Sequence, residues 1–323
     1  MNAFLKRFCG SIAVLAVVLA LNFFIFRIMP GDPLTGIMDP RFSPEAKQQL
    51  AEQWGLDKPM AEQFAVYIRE MLSFRFGLSM MTGQPVWDEL KSRASNTVTL
   101  LLPALLLSAA LGIWLGVKAA LTRGSKTERL VLVGGAVSFS FPSFFVQLLM
   151  LLCFAYLWPL FPLRGTTSVP PPHGVYAFFD YLWHLALPLL SLVLLSFGGW
   201  ALYIRNMMVK ALGEDYVLMA RARGLSHNRV VWNHAFRSIL PPVLTIFLLS
   251  LPGVVSGAII TETVFSLHGV GRFLLEAINS HDYPSAGASF FLLALLTVGC
   301  NLLADLLYVL VDPRVRRTNA TTQ

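Results

Sequence analysis

Six long, mainly apolar stretches run along the chain and restrict what it can fold into. A helix needs about 20 such residues to cross the hydrocarbon core of a bilayer, and each stretch meets that length. The sequence therefore predicts an all-α membrane protein with six transmembrane helices. The predicted spans are residues 9–29, 97–121, 130–158, 181–204, 242–264 and 289–311.

The composition agrees with a membrane location. Of the 323 residues, 55% are hydrophobic and 13% are charged, whereas a soluble domain is about 45–50% apolar and about 25% charged. The formal charge of +7 points to basic cytoplasmic loops rather than to nucleic-acid binding. The three cysteines all lie in apolar stretches, and an odd number without short spacing argues against a disulfide framework or a metal site.

The first apolar stretch has two interpretations, an uncleaved span or a signal peptide. A signal peptide has an apolar core of about 7–15 residues that ends at a small-residue cleavage site. Residues 9–29 are longer than this and are followed by "PGDP". We therefore expect residues 1–29 to be a cytoplasmic N-terminus and a first transmembrane helix.

Residues 30–95 are polar and carry the signals of two helices. Ser43 can cap the first helix, Pro44 suits its first position, and Gly55 suits its end. A second helix is expected to begin after Asp57, near Pro59, with an apolar face that either packs inward or meets a partner. That face consists of Met60, Phe64, Tyr67, Ile68 and Met71.

Basic residues near the ends of the spans predict the orientation, because short cytoplasmic loops are enriched in lysine and arginine. With the N-terminus inside, both termini and residues 205–241 are cytoplasmic, and residues 30–95 form a small helical extracytoplasmic insertion. Residues 96–311 then form a five-helix core, and residues 312–323 form a cytoplasmic tail. The basic residues on the inner side include Lys6, Arg7, Lys118, Arg123, Lys126, Arg129, Arg205, Lys210, Arg221, Arg223, Arg229, Arg237, Arg314, Arg316 and Arg317.

The segment "DYVLMARARGLSHNRVVWNHAFRSILPP", residues 215–242, is too long for a simple turn between spans. Asp215 can cap a short helix that begins at Tyr216, and Gly224 is a natural helix stop. A second helix capped by Ser226 would then run until Pro241 and Pro242 break it at the membrane edge. The segment predicts a short helix, a sharp turn and a longer helix.

Tyr216, Met219 and Ala220 are expected on one face of the short helix. A small exposed apolar face can serve as a peg for a groove on a soluble partner. The alternative is an interfacial helix that lies on lipid, with its arginines serving only to set the topology. The residues themselves leave both interpretations open.

The segment resembles the cytoplasmic loop of ABC-importer membrane subunits, and "DYVLMARARGL" with "HAFRSILPP" is similar in particular to the dipeptide, oligopeptide and nickel permease family. "PGDP", "GLDKP", "FGLS", "ETVFSLHGVGRFLLEAINSHDYP" and "DPRVRR" follow in the family's order over nearly the whole chain. The general importer signature has a glutamate and an alanine where this chain has Leu218 and Met219. The resemblance implies a type I ABC importer permease architecture.

The resemblance also implies which residues couple the chain to an ATPase, and which partners it has. The expected partners are a second homologous permease subunit, two ATP-binding subunits and an extracytoplasmic substrate-binding protein in a bacterial inner membrane. No cofactor is expected on this chain, and ATP is expected on the partner subunits. The implied coupling residues are Asp215, Tyr216, Met219, Ala220, Arg221, Gly224, Leu225 and Pro241.

Few ionisable residues lie within the predicted spans, and such residues are functional candidates by default. Glu262 lies near the outer end of the fifth span, where the resemblance suggests a gate and where a capping or inter-helix hydrogen bond is the alternative. Asp305 lies in the last span, where pairing with a neighbouring helix is favoured over a role in the path. Both are candidates for the gate or the path.

Catalytic motifs are absent from the sequence. It contains no Gly-x-x-x-x-Gly-Lys-Ser/Thr loop for ATP, no His-Glu-x-x-His and no Gly-x-Ser-x-Gly. We therefore expect that the chain is not an enzyme, and the resemblance implies a transport subunit with a di- or oligopeptide as the cargo. The alternatives are the same machinery for a nickel chelate, glutathione or an antimicrobial peptide, and an ion-coupled secondary transporter, which would need buried coupling carboxylates.

Overall fold

A computed structural model describes the backbone of residues 3–28 and 59–311, and the side chains of residues 8–25, 59–251 and 259–305. This part of the chain is helical, with a single isolated antiparallel bridge between Leu78 and Pro85. The helices are α1 (Ala3–Ile28), α2 (Met60–Leu72), α3 (Val86–Leu121), α4 (Lys126–Ser138), α5 (Ser143–Leu151), α6 (Val175–Leu212), α7 (Asp215–Ala222), α8 (His227–Arg229), α9 (Arg237–Val264), α10 (Val270–Asn279) and α11 (Tyr283–Val311). Two π-helical segments, Leu152–Leu157 and Val230–Phe236, continue α5 and α8.

Five helical segments of this described part are long and apolar enough to cross a membrane, and there are six if a bent pair of helices is counted as one span. The bent pair consists of Lys126–Ser138 and Ser143–Leu157, which meet at an angle of 101°. The stretch predicted as a span, residues 130–158, is therefore sharply bent in the structure. Pro142 precedes α5 at its N-cap, and a proline disfavours helical angles in the residue before it, so the chain turns there.

The chain forms two compact units. Unit 1 consists of Met1–Thr99 and Val255–Leu302, and unit 2 consists of Leu100–Val254 and Leu303–Gln323. The buried core of unit 1 joins side chains of α1, α2, α10 and α11, and it includes Phe23, Tyr67, Met71, Phe273 and Phe291.

The first predicted helix of the polar segment, residues 43–55, lies outside the described residues. The second is confirmed as α2, with Pro59 at its N-cap. Tyr67 and Met71 are buried in the core of unit 1, and Phe64 and Ile68 are partly buried against it. This face therefore packs inward rather than being free for a partner, except for Met60, which is 55% exposed.

Glycines bring the helices of unit 2 into close contact. A Cβ atom at Gly112 of α3 would lie 2.2 Å from Cβ of Trp200, and one at Gly116 would lie 2.6 Å from the carbonyl oxygen of Ala201. Small residues four positions apart let two helices approach closely, and these distances show such an approach between α3 and α6. A second approach, between Gly135 of α4 and Gly198 of α6, is as tight: a Cβ at Gly198 would lie 2.3 Å from the Gly135 carbonyl oxygen.

Candidate functional site

The polar segment after α6 begins with the short helix α7 (Asp215–Ala222). Glu214 occupies its N-cap with extended backbone angles, and no side chain caps it. Asp215 is the first helical residue, where a carboxylate is stabilised by the free amides and the positive end of the helix dipole. The helix is as expected, but the prediction that Asp215 caps it is wrong by one position.

Gly224 ends this helix as expected. Its φ angle is +75°, in the left-handed region that glycine enters at little cost. Its N–H donates to the Arg221 carbonyl oxygen at 2.9 Å, and the Leu225 N–H reaches the Ala220 carbonyl oxygen at 3.4 Å. The two bonds satisfy carbonyl groups that would otherwise be free at the helix end, so the turn is well defined.

The two sides of α7 differ in burial. Val217 and Ala220 are buried in the core of unit 2, together with Val230, Val231 and Ala235 of the following π-helical segment. The exposed side carries Tyr216, Leu218 and Met219, which are 41%, 50% and 63% exposed. The expectation that Ala220 shares an exposed apolar face with Tyr216 and Met219 is therefore wrong, because Ala220 anchors the helix from its inner side.

The second half of the segment is not a simple capped helix. Ser226 is at the N-cap of α8, but its side chain makes no capping hydrogen bond. After three residues the chain widens into the π-helical segment Val230–Phe236 and then continues as α9. Helix α9 passes through Pro241 and Pro242 without a break, so the predicted break is wrong.

The remaining predicted coupling residues lie on both sides of this segment. Arg221 and Pro241 are exposed, and Leu225 is half-buried against the core of unit 2. The structure therefore gathers Asp215, Tyr216, Met219 and Arg221 on the solvent-facing side of one short helix, and it assigns Ala220 and Leu225 to its anchoring side.

The candidate gate residue Glu262 lies near the end of α9 and is 1% exposed. One carboxylate oxygen accepts a hydrogen bond from the Thr97 hydroxyl at 2.6 Å, and the other accepts the Arg272 N–H at 3.0 Å. The Gly271 N–H also bonds to this carboxylate. Glu262 thus caps the free amides at the start of α10 and fastens this helix to α9 and, through Thr97, to α3.

Gly269 makes room for this carboxylate. A Cβ atom at Gly269 would lie 2.0 Å from Cδ of Glu262 and 2.1 and 2.3 Å from its two carboxylate oxygens. The backbone of Gly269 is extended, with φ −111° and ψ 175°, so any residue could adopt it. The glycine is required here by the approach of Glu262, and not by its backbone conformation.

A second buried carboxylate, Asp282, was not singled out from the sequence. It is 2% exposed and lies directly before α11. It accepts hydrogen bonds from the Ser79 hydroxyl at 2.5 Å, from the Met80 N–H at 3.1 Å and from the Ser285 N–H at 3.3 Å. The sequence signal that could have found it is an aspartate three residues before Ser285, at the start of an apolar helix.

Asp305 is half-buried near the end of the described part of α11. Among the residues whose side chains are described, no group of three or more His, Cys, Asp or Glu side chains could hold a metal ion. Asn22 of α1 is buried and donates to the Tyr67 hydroxyl at 2.7 Å and to the Gly287 carbonyl oxygen at 3.0 Å, so it bridges helices.

Comparisons with known proteins cover nearly the whole chain. Residues 109–317 match the family described as "Binding-protein-dependent transport system inner membrane component", and residues 1–101 match the corresponding N-terminal family. The Oligopeptide transport system permease protein AppB of Bacillus subtilis (strain 168) is 32% identical, over 96% of this chain and 98% of the relative. The Dipeptide transport system permease protein DppB of Escherichia coli (strain K12) is 34% identical, over 97% and 98%. The Di/tripeptide transport system permease protein DppB of Pseudomonas aeruginosa (strain UCBPP-PA14) is 34% identical, over 93% and 94%.

Proposed function

Because the chain belongs to the family of inner membrane components of binding-protein-dependent transport systems, we propose that it forms half of the translocation pathway of an ATP-driven importer for di- or oligopeptides. The cargo is proposed from relatives whose names specify dipeptide, di/tripeptide and oligopeptide transport. A substrate-binding protein delivers the peptide, and the chain itself carries no ATP site. The other half of the pathway is a second, homologous permease subunit.

The observation that carries this proposal is the shape of α7. It is short, its inner side is fastened by Val217 and Ala220, and its other side presents Tyr216, Leu218 and Met219 to solvent. A helix that is fixed on one side and carries exposed apolar side chains on the other fits a groove on a soluble partner. We propose that this partner is one of two ATP-binding subunits, and that ATP-driven closure of these subunits pushes on α7 and switches the spans between two states.

This arrangement requires residues 205–241 and both termini to be cytoplasmic, and residues 30–95 to be outside. The asymmetry of basic residues at the span ends supports that orientation. Residues 30–95 and the loop that contains α10 then face the substrate-binding protein. In unit 1 the two carboxylates Glu262 and Asp282 hold this loop at both of its ends. We propose that Glu262 acts near the outer gate by fixing α10, while Asp305 remains a candidate for the path.

Disulfide cross-linking tests the docking of α7. The three native cysteines, Cys9, Cys153 and Cys300, are first replaced by serine or alanine. Met219→Cys, at a position that is 63% exposed, is then combined with single cysteines along the surface groove of the ATP-binding subunit. Arg123→Cys, exposed in the turn between α3 and α4, is the matched control.

We expect a cross-link from position 219 and none from position 123. The rate of ATP hydrolysis is measured on the same preparations. Hydrolysis should require the added ATP-binding subunits and should rise further with peptide-loaded binding protein. If position 219 forms no cross-link with any groove position, α7 does not dock there. A polarity-sensitive fluorophore attached to the cysteine at position 219 separates the alternative, because a lipid environment there would identify an interfacial helix.

A further inference from the structure

A hydrogen bond between two side chains joins α7 to the start of α9. The Tyr216 hydroxyl lies 2.6 Å from the Ser238 hydroxyl oxygen, although the two residues are 22 positions apart in sequence. Tyr216 is the second residue of α7, and Ser238 is the second residue of α9. The bond therefore connects the proposed docking helix directly to a helix that continues into the membrane.

The direction of this bond is fixed by the next one. The Ser238 hydroxyl donates its only proton to the Ala235 carbonyl oxygen at 2.8 Å. Its oxygen can then only accept, so the Tyr216 hydroxyl must be the donor. The chain of bonds runs from the phenol of α7 through Ser238 to the backbone of the π-helical segment, and each step has a defined donor and acceptor.

The apolar contact beneath this bond holds α7 in a different way. Val217 and Ala220 pack against Val230, Val231 and Ala235. Apolar contact is not directional, so it resists separation of the helices more than it resists sliding or rotation. A hydrogen bond depends steeply on angle and distance. The hydroxyl pair at the exposed edge therefore adds the directional attachment that the buried contact lacks.

We propose that Tyr216 is a positioning residue whose hydroxyl bond to Ser238 makes α7 and the start of α9 move as one body, so that displacement of the docked helix reaches the span. This inference rests on the proposed docking of α7 on an ATP-binding subunit. It gives the Tyr216 hydroxyl a role within this chain, while the ring of Tyr216, which Tyr216→Phe keeps, stays on the exposed side with Leu218 and Met219. Loss of the bond leaves docking intact and weakens the transfer of motion.

The test uses the complete importer in proteoliposomes, with ATP-binding subunits, second permease subunit and peptide-binding protein. Tyr216→Phe and Ser238→Ala each remove one partner of the bond, and Ser238→Thr keeps a hydroxyl. Tyr203→Phe is the matched control, because Tyr203 of α6 is 41% exposed, as Tyr216 is. The measured quantity is peptide taken up per ATP hydrolysed, alongside the cross-link from Met219→Cys in each background.

We expect Tyr216→Phe and Ser238→Ala to lower uptake per ATP by roughly two- to tenfold, the range that corresponds to one uncharged hydrogen bond. The yield of the cross-link should not change. The double variant should be no worse than either single variant, because both remove the same bond. Ser238→Thr should keep most of the parent ratio, and Tyr203→Phe should keep all of it.

Three outcomes would overturn the proposal. Uptake per ATP in Tyr216→Phe could equal that of the parent, or the two single effects could add in the double variant. Alternatively, the cross-link could fall in step with uptake, and Tyr216 would then act by contacting the ATP-binding subunit. Failure of the proposed docking can be distinguished from these outcomes. In that case Met219→Cys would form no cross-link even with Tyr216 and Ser238 unchanged, and the proposal for Tyr216 would be wrong as well.

Discussion

Gly269→Ala places a methyl group where the Glu262 carboxylate lies. The new Cβ would be 2.0 Å from Cδ of Glu262, which is far inside van der Waals contact. The backbone at position 269 is extended, so alanine adds no conformational strain of its own. Any destabilisation by the substitution therefore comes from one contact, since Gly→Ala at a compatible backbone otherwise stabilises slightly through the unfolded chain.

Either the carboxylate moves or the methyl group is forced in. If the carboxylate moves, it leaves one of its donors, Thr97, Gly271 or Arg272, and a hydrogen bond to a charged group contributes about 1.5–3 kcal/mol. If nothing moves, overpacking of a tight site costs about 1–3 kcal/mol. The cheaper route determines the loss, so we expect Gly269→Ala to destabilise unit 1 by about 1–3 kcal/mol.

Thermal unfolding of the purified protein in detergent, followed by loss of the monodisperse species, measures this effect. Gly299→Ala is the control, because a Cβ at Gly299 meets nothing within 4 Å and the substitution should be neutral or slightly stabilising. Glu262→Ala should destabilise more strongly, and Gly269→Ala added to it should cost almost nothing further. The reasoning fails if Gly269→Ala is as stable as the parent protein. It also fails if Gly269→Ala lowers the stability by the same amount in the parent and in Glu262→Ala.

Three further predictions concern the turn at the end of α7, the orientation of the chain in the membrane and the dependence of stability on pH. Gly224→Val should strain a backbone at φ +75° by about 1 kcal/mol or more and raise ATP turnover per transported peptide while the protein still inserts; normal coupling would contradict it. Cysteine at Val169, which is 95% exposed, should react with an impermeant reagent in intact cells, whereas cysteine at Met219 should react only after membrane disruption; the reverse pattern would invert the topology. Burial, followed by the charges of Arg272 and Arg93, lowers the pKa of His268, so the unfolded chain takes up this proton first and unit 1 should lose stability as the pH falls below about 6.5; His268→Asn should flatten that part of the profile, and an unchanged profile would refute it.

The arrangement of spans could be predicted from the sequence because it depends on local hydropathy. An apolar stretch of about 20 residues has few other ways to satisfy its backbone in a bilayer. The stretch at residues 130–158 shows the limit of this logic. Its hydropathy is continuous, but its two helices meet at 101° with Pro142 at the N-cap of the second. Hydropathy alone does not show this bend.

The short helix α7 shows the same division between local and long-range information. Gly224 could be identified as its end because glycine at a helix terminus acts locally. The inner and exposed sides could not be separated by helical spacing alone, since they depend on the π-helical segment that packs beneath Val217 and Ala220. Spacing placed Ala220 beside Tyr216 and Met219, and only the tertiary contact shows that it faces the other way.

The buried carboxylates were the hardest feature to predict. Glu262 could be recognised as a rare ionisable residue in a span, but its partners include Thr97, 165 positions away. Asp282 bonds to Ser79, 203 positions away. Neither spacing nor composition links such residues. In the sequence Gly269 resembles an ordinary loop glycine, and only the structure shows the Glu262 carboxylate beside it.

Glu262 and Asp282 lie on either side of α10 in the sequence, and both act on the start of a helix. Glu262 bonds to the first amides of α10, and Asp282 bonds to an amide in the first turn of α11. Each carboxylate also takes a hydroxyl from a distant segment, Thr97 or Ser79. Because a buried charge is tolerated only when its hydrogen bonds are complete, each fixes a segment more firmly than an apolar contact would. The short helix α10 is therefore held at both ends. A helix held in this way moves together with its neighbours when a partner binds, whereas a loosely held helix would shift alone.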